Sequence, residues 1–347
     1  MPPTQKQIAD KLGIHQTLVA KALQGNPQVS EERRLLIVKT AEEMGYGAQT
    51  NGAARSMRRR REGERLGTGT IAVLMGTFLE GLPLPQLPFF RELLEGIHEE
   101  VGRRDSHAAT YYIPRDGNLP RAVTEGGVDG VISVYSLTNE EKLATVDLHA
   151  PVVRMGGATA AWNLRPRDRE GICLVTTHLL DGGHRDIAYI GDTGEVPFLV
   201  SDGERFLGFC EAMAGAGVEV QDDLLCHAID PSYGCGHAAM TRLLTRGVPF
   251  TAVVCLNDAT AVGAMDAVRE TGLRVPEDIS VTGFDGLSGG YGGSETLTTV
   301  YFDRRAMGRR AVAMLFEADG NQPGQEILPV ELLVRGSTRL QAALVAP

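Results

Sequence analysis

Arginine supplies the most concentrated chemistry in this sequence: N-G-A-A-R-S-M-R-R-R-R (51–61) places Arg55 and Arg58 to Arg61 almost together. Guanidinium groups at that density suit phosphate oxygens, which they meet with charge-assisted, often bidentate hydrogen bonds. A solvated linker is the commoner use of such a run, so the run alone leaves both readings open. Histidine and cysteine offer less. His227 and His237 lie near Cys226 and Cys235 without the spacing of zinc ligands. The five cysteines (173, 210, 226, 235, 255) form no C-x-x-C pair, and an odd count fits a reducing compartment. Gly215-Ala216-Gly217 follows a helical pattern and reads as its C-terminal turn, not as a dinucleotide loop. G-G-Y-G-G (289–293) has the composition of an anion nest and, far more commonly, of a mobile loop. No Walker loop, H-E-x-x-H or nucleophile elbow is present, so no catalytic constellation stands out.

Three short helices precede the arginines and must position them. Thr4 and Gln7 make a T-x-x-Q capping box for the first, whose apolar face is Ile8, Ala9 and Leu12. Gly13 breaks it, His15 or Gln16 opens a second helix with Val19, Ala22 and Leu23, and Gly25-Asn26-Pro27 ends that one. Ser30, Glu31 and Glu32 open a third, with Leu35, Val38, Ala41 and Met44 expected inside and Gly45 as its stop. Such a trio is a helix-turn-helix unit. Asn51 is placed to cap one more short helix through Met57, with the arginines beyond it.

The charge divides along the same line. Residues 1–61 hold eleven Lys/Arg against five acids, a net of +6, while the whole chain of 347 residues carries −10, which leaves −16 for the rest. A basic head on an acidic body points to a polyanion as the head's partner and a different task for the body. The longest stretch free of charged residues is the 14 from Leu66 to Leu79, short of the roughly 18–20 that a spanning helix needs. The polar start, M-P-P-T-Q-K, lacks the apolar segment of a signal peptide, so the cytoplasm is expected.

From Thr70 onward, apolar strand-like segments such as TIAVLM, GVISVYS, PVVRMGG, DIAYIGD, TAVVCLND and ISVTGFD alternate with amphipathic helices. Helices are also expected near 119–127 and 139–148. This rhythm over some 230 residues means parallel sheets covered by helices, here two of them. Ligands of such sheets bind beyond the C-terminal ends of the strands, and between two lobes that is the cleft.

T-Q-K-Q-I-A-D-K-L-G-I-H-Q-T-L-V-A-K-A-L-Q-G, N-P-Q-V-S-E-E-R-R and A-E-E-M-G-Y resemble the DNA-binding domain of the LacI/GalR family of transcriptional regulators. The resemblance continues through H-L-L-D-G-G-H-R-D-I-A-Y-I-G (178–191), N-D-A-T-A-V-G-A-M (257–265), G-L-R-V-P-E-D-I-S-V-T-G-F-D (272–285), L-T-T-V (297–300) and V-E-L-L-V-R-G-S-T (330–338). It implies an N-terminal all-α helix-turn-helix domain (1–48), a hinge helix and basic linker (49–66), and an α/β body (67–347) like a periplasmic sugar-binding protein. That body has an N-lobe near 67–168 plus 301–327 and a C-lobe near 169–300 plus 328–347. Crossings are expected near 166–171, 299–303 and 325–330.

The same resemblance implies residue roles. Gln16, Thr17 and Lys21 meet base edges or phosphates in the major groove, flanked by Thr4 and His15. Asn51, Ala54, Met57 and Arg58 belong to the hinge, with Met57 as the apolar wedge in the minor groove. In the cleft, Arg205, Asn257 and Asp285 contact the effector, and Arg304 and Tyr301, after the strand 297–300, line it; Phe89-Phe90, after the proline-rich loop, either stack on a sugar ring or decorate the surface. The implied protein is a cytoplasmic homodimer that binds a palindromic operator, represses transcription, responds to a small molecule of carbohydrate type, and needs no cofactor, metal or membrane.

Five departures from the family pattern stand out. His15 replaces a serine, Leu18 and Ala20 replace Thr and Ser, and Gly52 weakens the hinge helix by about 1 kcal/mol relative to Ala. Gly156-Gly157 replaces a frequent Asp-Arg pair, and the loop G-L-P-L-P-Q-L-P (81–88) is long and proline-rich. The competing readings are a transport-type sugar-binding protein, which would lack the basic head, and an α/β enzyme using the cleft.

Overall fold

A computed structural model describes residues 4–23, 29–44, 68–76, 88–113, 118–134, 143, 150–156, 163–193, 200–228, 230–287, 296–317 and 324–339. They fall into two compact units, Met1–Thr70 with Gly127–Asp129, and Ile71–Gly126 with Gly130–Pro347.

The first unit contains α1 (Gln5–Leu12), α2 (Gln16–Leu23) and α3 (Glu31–Glu43). The expected capping box forms: the Gln7 amide donates to Thr4 Oγ1 (3.3 Å) and the Thr4 amide to Gln7 Oε1 (2.7 Å). Gly13, at φ 64°, adopts the left-handed conformation that closes α1. Ile8, Ala9, Val19, Ala22, Val29, Ile37 and Ala41 form the core of this unit. In the third helix Ala41 is buried and Val38 and Met44 pack against the core as expected, and Leu35 is the exception. Ile37, Thr40 and Ala41 are the buried positions of the helix, with Met44 beside them, while Leu35 is half exposed. The set 37, 40, 41, 44 is itself an i, i+3, i+4, i+7 stripe, and Leu35 points away from it. Residues 24–28 and 45–67, and with them Asn51, Ala54, Met57 and Arg58, lie outside the described residues.

In the second unit the chain runs through β1 (Thr70–Gly76), α4 (Pro88–Arg103), β2 (His107–Ile113), α5 (Arg121–Thr124), β3 (Gly130–Val134), β4 (Val152–Met155) and β5 (Asn163–Pro166). It continues with α6 (Asp168–Asp181), β6 (Ile187–Gly191), α7 (Val200–Gly215), β7 (Leu225–His227), α8 (Tyr233–Arg246), β8 (Ala252–Cys255), α9 (Asp258–Glu270) and β9 (Ser280–Asp285). The last elements are β10 (Thr298–Tyr301), α10 (Arg304–Glu317), β11 (Gln325–Leu328) and β12 (Glu331–Leu333). Two six-stranded sheets result, in the orders β11-β5-β4-β3-β1-β2 and β12-β10-β9-β8-β6-β7. The pairs β1–β3, β3–β4, β4–β5 and β5–β11 are parallel in the first, as are β7–β6, β6–β8, β8–β9 and β9–β10 in the second. Only β12 is described as antiparallel to its neighbour. The strands β5, β7, β11 and β12 are not among the segments that the sequence marks as strands, and the helix expected near 119–127 shrinks to Arg121–Thr124. Of the helix expected near 139–148, Leu143 alone is described.

The chain passes between the sheets three times: from β5 into α6, from β10 into α10, and from β11 into β12. Every passage leaves the C-terminal end of a parallel strand, so the two C-terminal edges face each other across a cleft.

Glycines let the covering helices approach closely. A Cβ on Gly308 of α10 would overlap the Leu93 carbonyl of α4, and one on Gly96 would overlap the Arg305 carbonyl. The α8–α9 pair uses Gly236 and Gly263 in the same way. Because the obstructing atoms are backbone, no rotamer change relieves the overlap. Gly308→Ala is expected to lower the unfolding free energy by about 3 kcal/mol, read as a lower urea midpoint at unchanged slope. A wild-type midpoint would mean that the helices separate freely.

Candidate functional site

At the head, Gln16 and Thr17 are exposed in the first turn of α2, and Lys21 lies one turn further along. His15 does the work of the serine it replaces. Its Nδ1 lies 2.9 Å from Thr17 Oγ1 and accepts from the Thr17 amide at 3.3 Å, which satisfies a free N–H at the helix start. Thr4 is occupied as the cap of α1.

In the body, ionised side chains meet where the sheet edges face. Arg205, on α7, is 5% exposed; its Nε and Nη2 both contact Asp168 Oδ1 at 2.9 Å, and its Nη1 donates to the Leu256 carbonyl at 2.7 Å. Its guanidinium also lies 3.9 Å over the Phe284 ring. Arg304, 1% exposed at the start of α10, donates from Nε (3.1 Å) and Nη2 (2.7 Å) to Glu92 of α4, and from Nη1 to the Asp285 carbonyl. That single side chain ties the first-sheet helices to the end of β9. Asn257 caps α9: its Oδ1 accepts from the Thr260 amide (2.9 Å) and its Nδ2 donates to the Pro231 carbonyl (3.0 Å). Asp258 next to it accepts from the Thr299 hydroxyl and, at 2.7 Å, from the Leu287 amide, while Thr299 Oγ1 accepts from the Gly286 amide.

This network clamps the turn at Asp285, whose φ of 125° lies where residues other than glycine are strained. The Asp285 carboxylate is 5% exposed and has no hydrogen bond among the described residues. Burial lifts it to about 6, although Arg205 and Arg304 pull the other way. Burial also raises Asp258, with the Asp285 charge adding to the effect, and raises Asp168 against the pull of Arg205. A carboxylate held strained, desolvated and without a hydrogen bond among the described residues is fit to receive hydrogen-bond donors from a ligand.

A regulator from Rhizobium meliloti (strain 1021), the HTH-type transcriptional regulator AglR, is 30% identical to this chain over 362 residues, covering 97% of the chain and 95% of AglR. The chain belongs to the LacI/GalR family of transcriptional regulators. The periplasmic binding protein-like domain family matches residues 176–338 of this LacI/GalR regulator. Its fold is also similar to that of the transcriptional regulator CelR in complex with cellobiose, with a TM-score of 0.69 and 24% identity over 96% of the chain and 99% of CelR. The lac repressor dimer bound to operator and the anti-inducer ONPF gives a TM-score of 0.69 and 22% identity, over 98% of the chain and 100% of that structure. The LacI/GalR regulator described here is accordingly a sequence-specific DNA-binding transcriptional regulator with a small-molecule-sensing body.

Within the regulator, Arg205, Asn257, Asp285 and Arg304 gather around one end of β9, and Phe89 joins them by packing its ring against Phe302 at 6.2 Å. Tyr301 lies 5.9 Å from Arg304. The two arginines spend most of their donors inside the protein, which the sequence did not reveal. Nor did it single out Asp168, Glu92, Asp258 or Thr299, which hold the cluster. A separate depression of about 540 Å³ at the first passage is lined by Arg165, Arg169, Glu204 and Ile327. There Arg169 is paired with Glu211, and Arg165 lies 3.8 Å from Asp168. The proline-rich loop is outside the described residues except for Pro88, which opens α4. His237 pairs with Glu270 at 2.9 Å, and none of the described helices is long and apolar enough to cross a membrane.

Proposed function

We propose that the chain is a homodimeric repressor whose affinity for a palindromic operator is switched by a saccharide bound in the cleft against Asp285. The observation that carries the sensing half is the Asp285 carboxylate, desolvated between two arginines and without a hydrogen bond among the described residues. Sugar hydroxyls are the donors it lacks, and cellobiose in the similarly folded CelR supports that chemistry. Residues 1–48 read DNA, with Gln16, Thr17 and Lys21 in the major groove; residues 49–66, including Asn51, Ala54, Met57 and Arg58, form the hinge; residues 67–347 sense and dimerise. The operator-bound lac repressor dimer supports that arrangement. The protein turns over nothing, uses no cofactor and works in the cytoplasm. Switching requires the saccharide to bind one lobe arrangement more tightly than the other, by as much free energy as the DNA affinity changes.

The test is titration of the full chain with a saccharide panel, followed by release or capture of a selected palindromic duplex. Asp285→Ala is expected to weaken binding about 10- to 100-fold, the loss of a hydrogen bond to a charged group. An identical dissociation constant refutes the assignment.

The pH dependence has two signs. The folded-state value of about 6 exceeds the unfolded value, so ionising Asp285 opposes folding. Stability of the ligand-free protein should fall as pH rises from about 4 to about 6, by about 3 kcal/mol that Asp285→Asn removes. Saccharide affinity should rise over the same interval, because the ionised form is the stronger acceptor. Unfolding curves of the two proteins at pH 4.5 and 7 check the first, and calorimetry the second.

A further inference from the structure

Three arginines are buried among the described residues, and two carry their own counter-charge: Arg205 has Asp168, and Arg304 has Glu92. The third, Arg154 on β4, is 7% exposed and has no hydrogen bond or ion pair to its guanidinium among the described residues. In register beside it on β3 is Ser133, 1% exposed, whose hydroxyl also lacks a partner, and on its other side is Asn163 of β5. Side-chain alternation sets this polar row on the sheet face opposite Ile132, Val134, Val153 and Met155, which belong to the core under α4 and α10. Ser133 and Arg154 are each one residue from the last position of their strands, Val134 and Met155, on the edge that faces the second sheet.

Arginine cannot shed its proton in a protein, so a buried guanidinium must find an anion or keep a large desolvation cost. Among the described residues, no acid is paired with Arg154. Gly156, two residues on, brings no side chain at the position where the family pattern often has Asp. The acidic body repels anions in general, so one is held only where a cation stands uncompensated beside a hydroxyl donor.

We propose that Arg154 and Ser133 form an anion subsite at the rim of the cleft, which makes the effector an acidic saccharide. Its acid group, a carboxylate or a phosphate, sits on Arg154 while its hydroxyls reach Asp285. The inference rests on the cleft being the saccharide site.

Matched ligands test it on the full-length chain: a hexose, its uronic acid and its 6-phosphate, in the glucose and galactose series, with inorganic phosphate at constant ionic strength as the bare anion. One acidic ligand is expected to bind about 30-fold more tightly than its neutral parent. Arg154→Met should bring that ratio close to 1 and leave the neutral hexose bound as before; Ser133→Ala, which keeps the cation, should lower the ratio in part. Inorganic phosphate should raise the melting temperature of the wild type and not that of Arg154→Met. A preference for the uronic acid or for the 6-phosphate tells the two anions apart. Binding of neutral hexose without an acidic preference overturns the subsite and leaves the cleft reading standing, and a preference that survives Arg154→Met also overturns it. If neither phosphate nor any saccharide binds the wild type, both readings fall.

Discussion

Arg205→Met is expected to destabilise the body by about 3–5 kcal/mol, a larger effect than the loss of any single ligand contact. Two Arg205 nitrogens lie on one oxygen of Asp168, which is fully buried, and a third supports the Leu256 carbonyl at the end of β8. Removing the guanidinium takes away the closer of the two cations at this carboxylate and leaves it only Arg165, at 3.8 Å, in a site that already penalises ionisation. The deficit should therefore depend on pH. Asp168 in the variant takes up a proton at a higher pH than in the wild type, and below that point the charge disappears. The folded variant then binds more protons than its unfolded chain, so its stability falls as pH rises. Urea unfolding should show a greater deficit at pH 8 than at pH 5, and adding Asp168→Asn should recover most of it at pH 8. An equal deficit at both values, or no recovery in the double variant, would mean that the Asp168 charge is not the cause of the loss, and no deficit at all would mean that Arg205 acts on the ligand alone.

The alternation of strands and helices was legible because each buried strand is a short apolar run and each helix an amphipathic one. The strand β5 was not, because N-L-R-P combines a charge with a proline, and pairing with β11, about 160 residues further on, makes it a strand. Nor was β7, whose three residues L-C-H are too few to show a period. In α3 the spacing of Val38, Ala41 and Met44 was legible, but Leu35 fits the same i, i+3 pattern and is half exposed, while Ile37 takes the buried place. In the site, the family resemblance pointed to Arg205, Asn257, Asp285 and Arg304, but what each does locally depends on distant partners. Glu92 and Arg304 are 212 positions apart, and a first-turn acid such as Asp168 reads as a favourable dipole contact long before it reads as a buried counter-ion. Arg154 hid inside P-V-V-R-M, where the surrounding apolar residues declared a strand and nothing declared that the arginine would have no acid paired with it among the described residues.

Deleting residues 1–61 is expected to abolish operator binding while leaving saccharide affinity within about twofold of the full chain, since no proposed cleft contact is removed. The charge division is the reason for the first half. The deleted segment carries +6, and what remains carries −16, so the truncated protein presents DNA with a repulsive field. Specific binding typically exceeds non-specific binding by about 10³-fold or more, and both need phosphate contacts that release counter-ions. The full chain should accordingly lose DNA affinity steeply as salt rises, whereas the truncated chain should show no measurable binding even at low salt, where electrostatics are strongest. The second half follows from the cores. Ile8, Val19 and Ile37 close the head on themselves, while the residues that fill the body run from Ile71 onward. The body keeps its own hydrophobic interior and every residue of the cleft cluster, including Asp285, Arg304 and Glu92. Fluorescence anisotropy with the selected operator and calorimetry with the effector, on the full and truncated chains side by side, separate the two functions. Operator affinity that survives the deletion would place DNA recognition in the body, and a saccharide affinity that collapses with it would mean that the cleft cannot be built without the head.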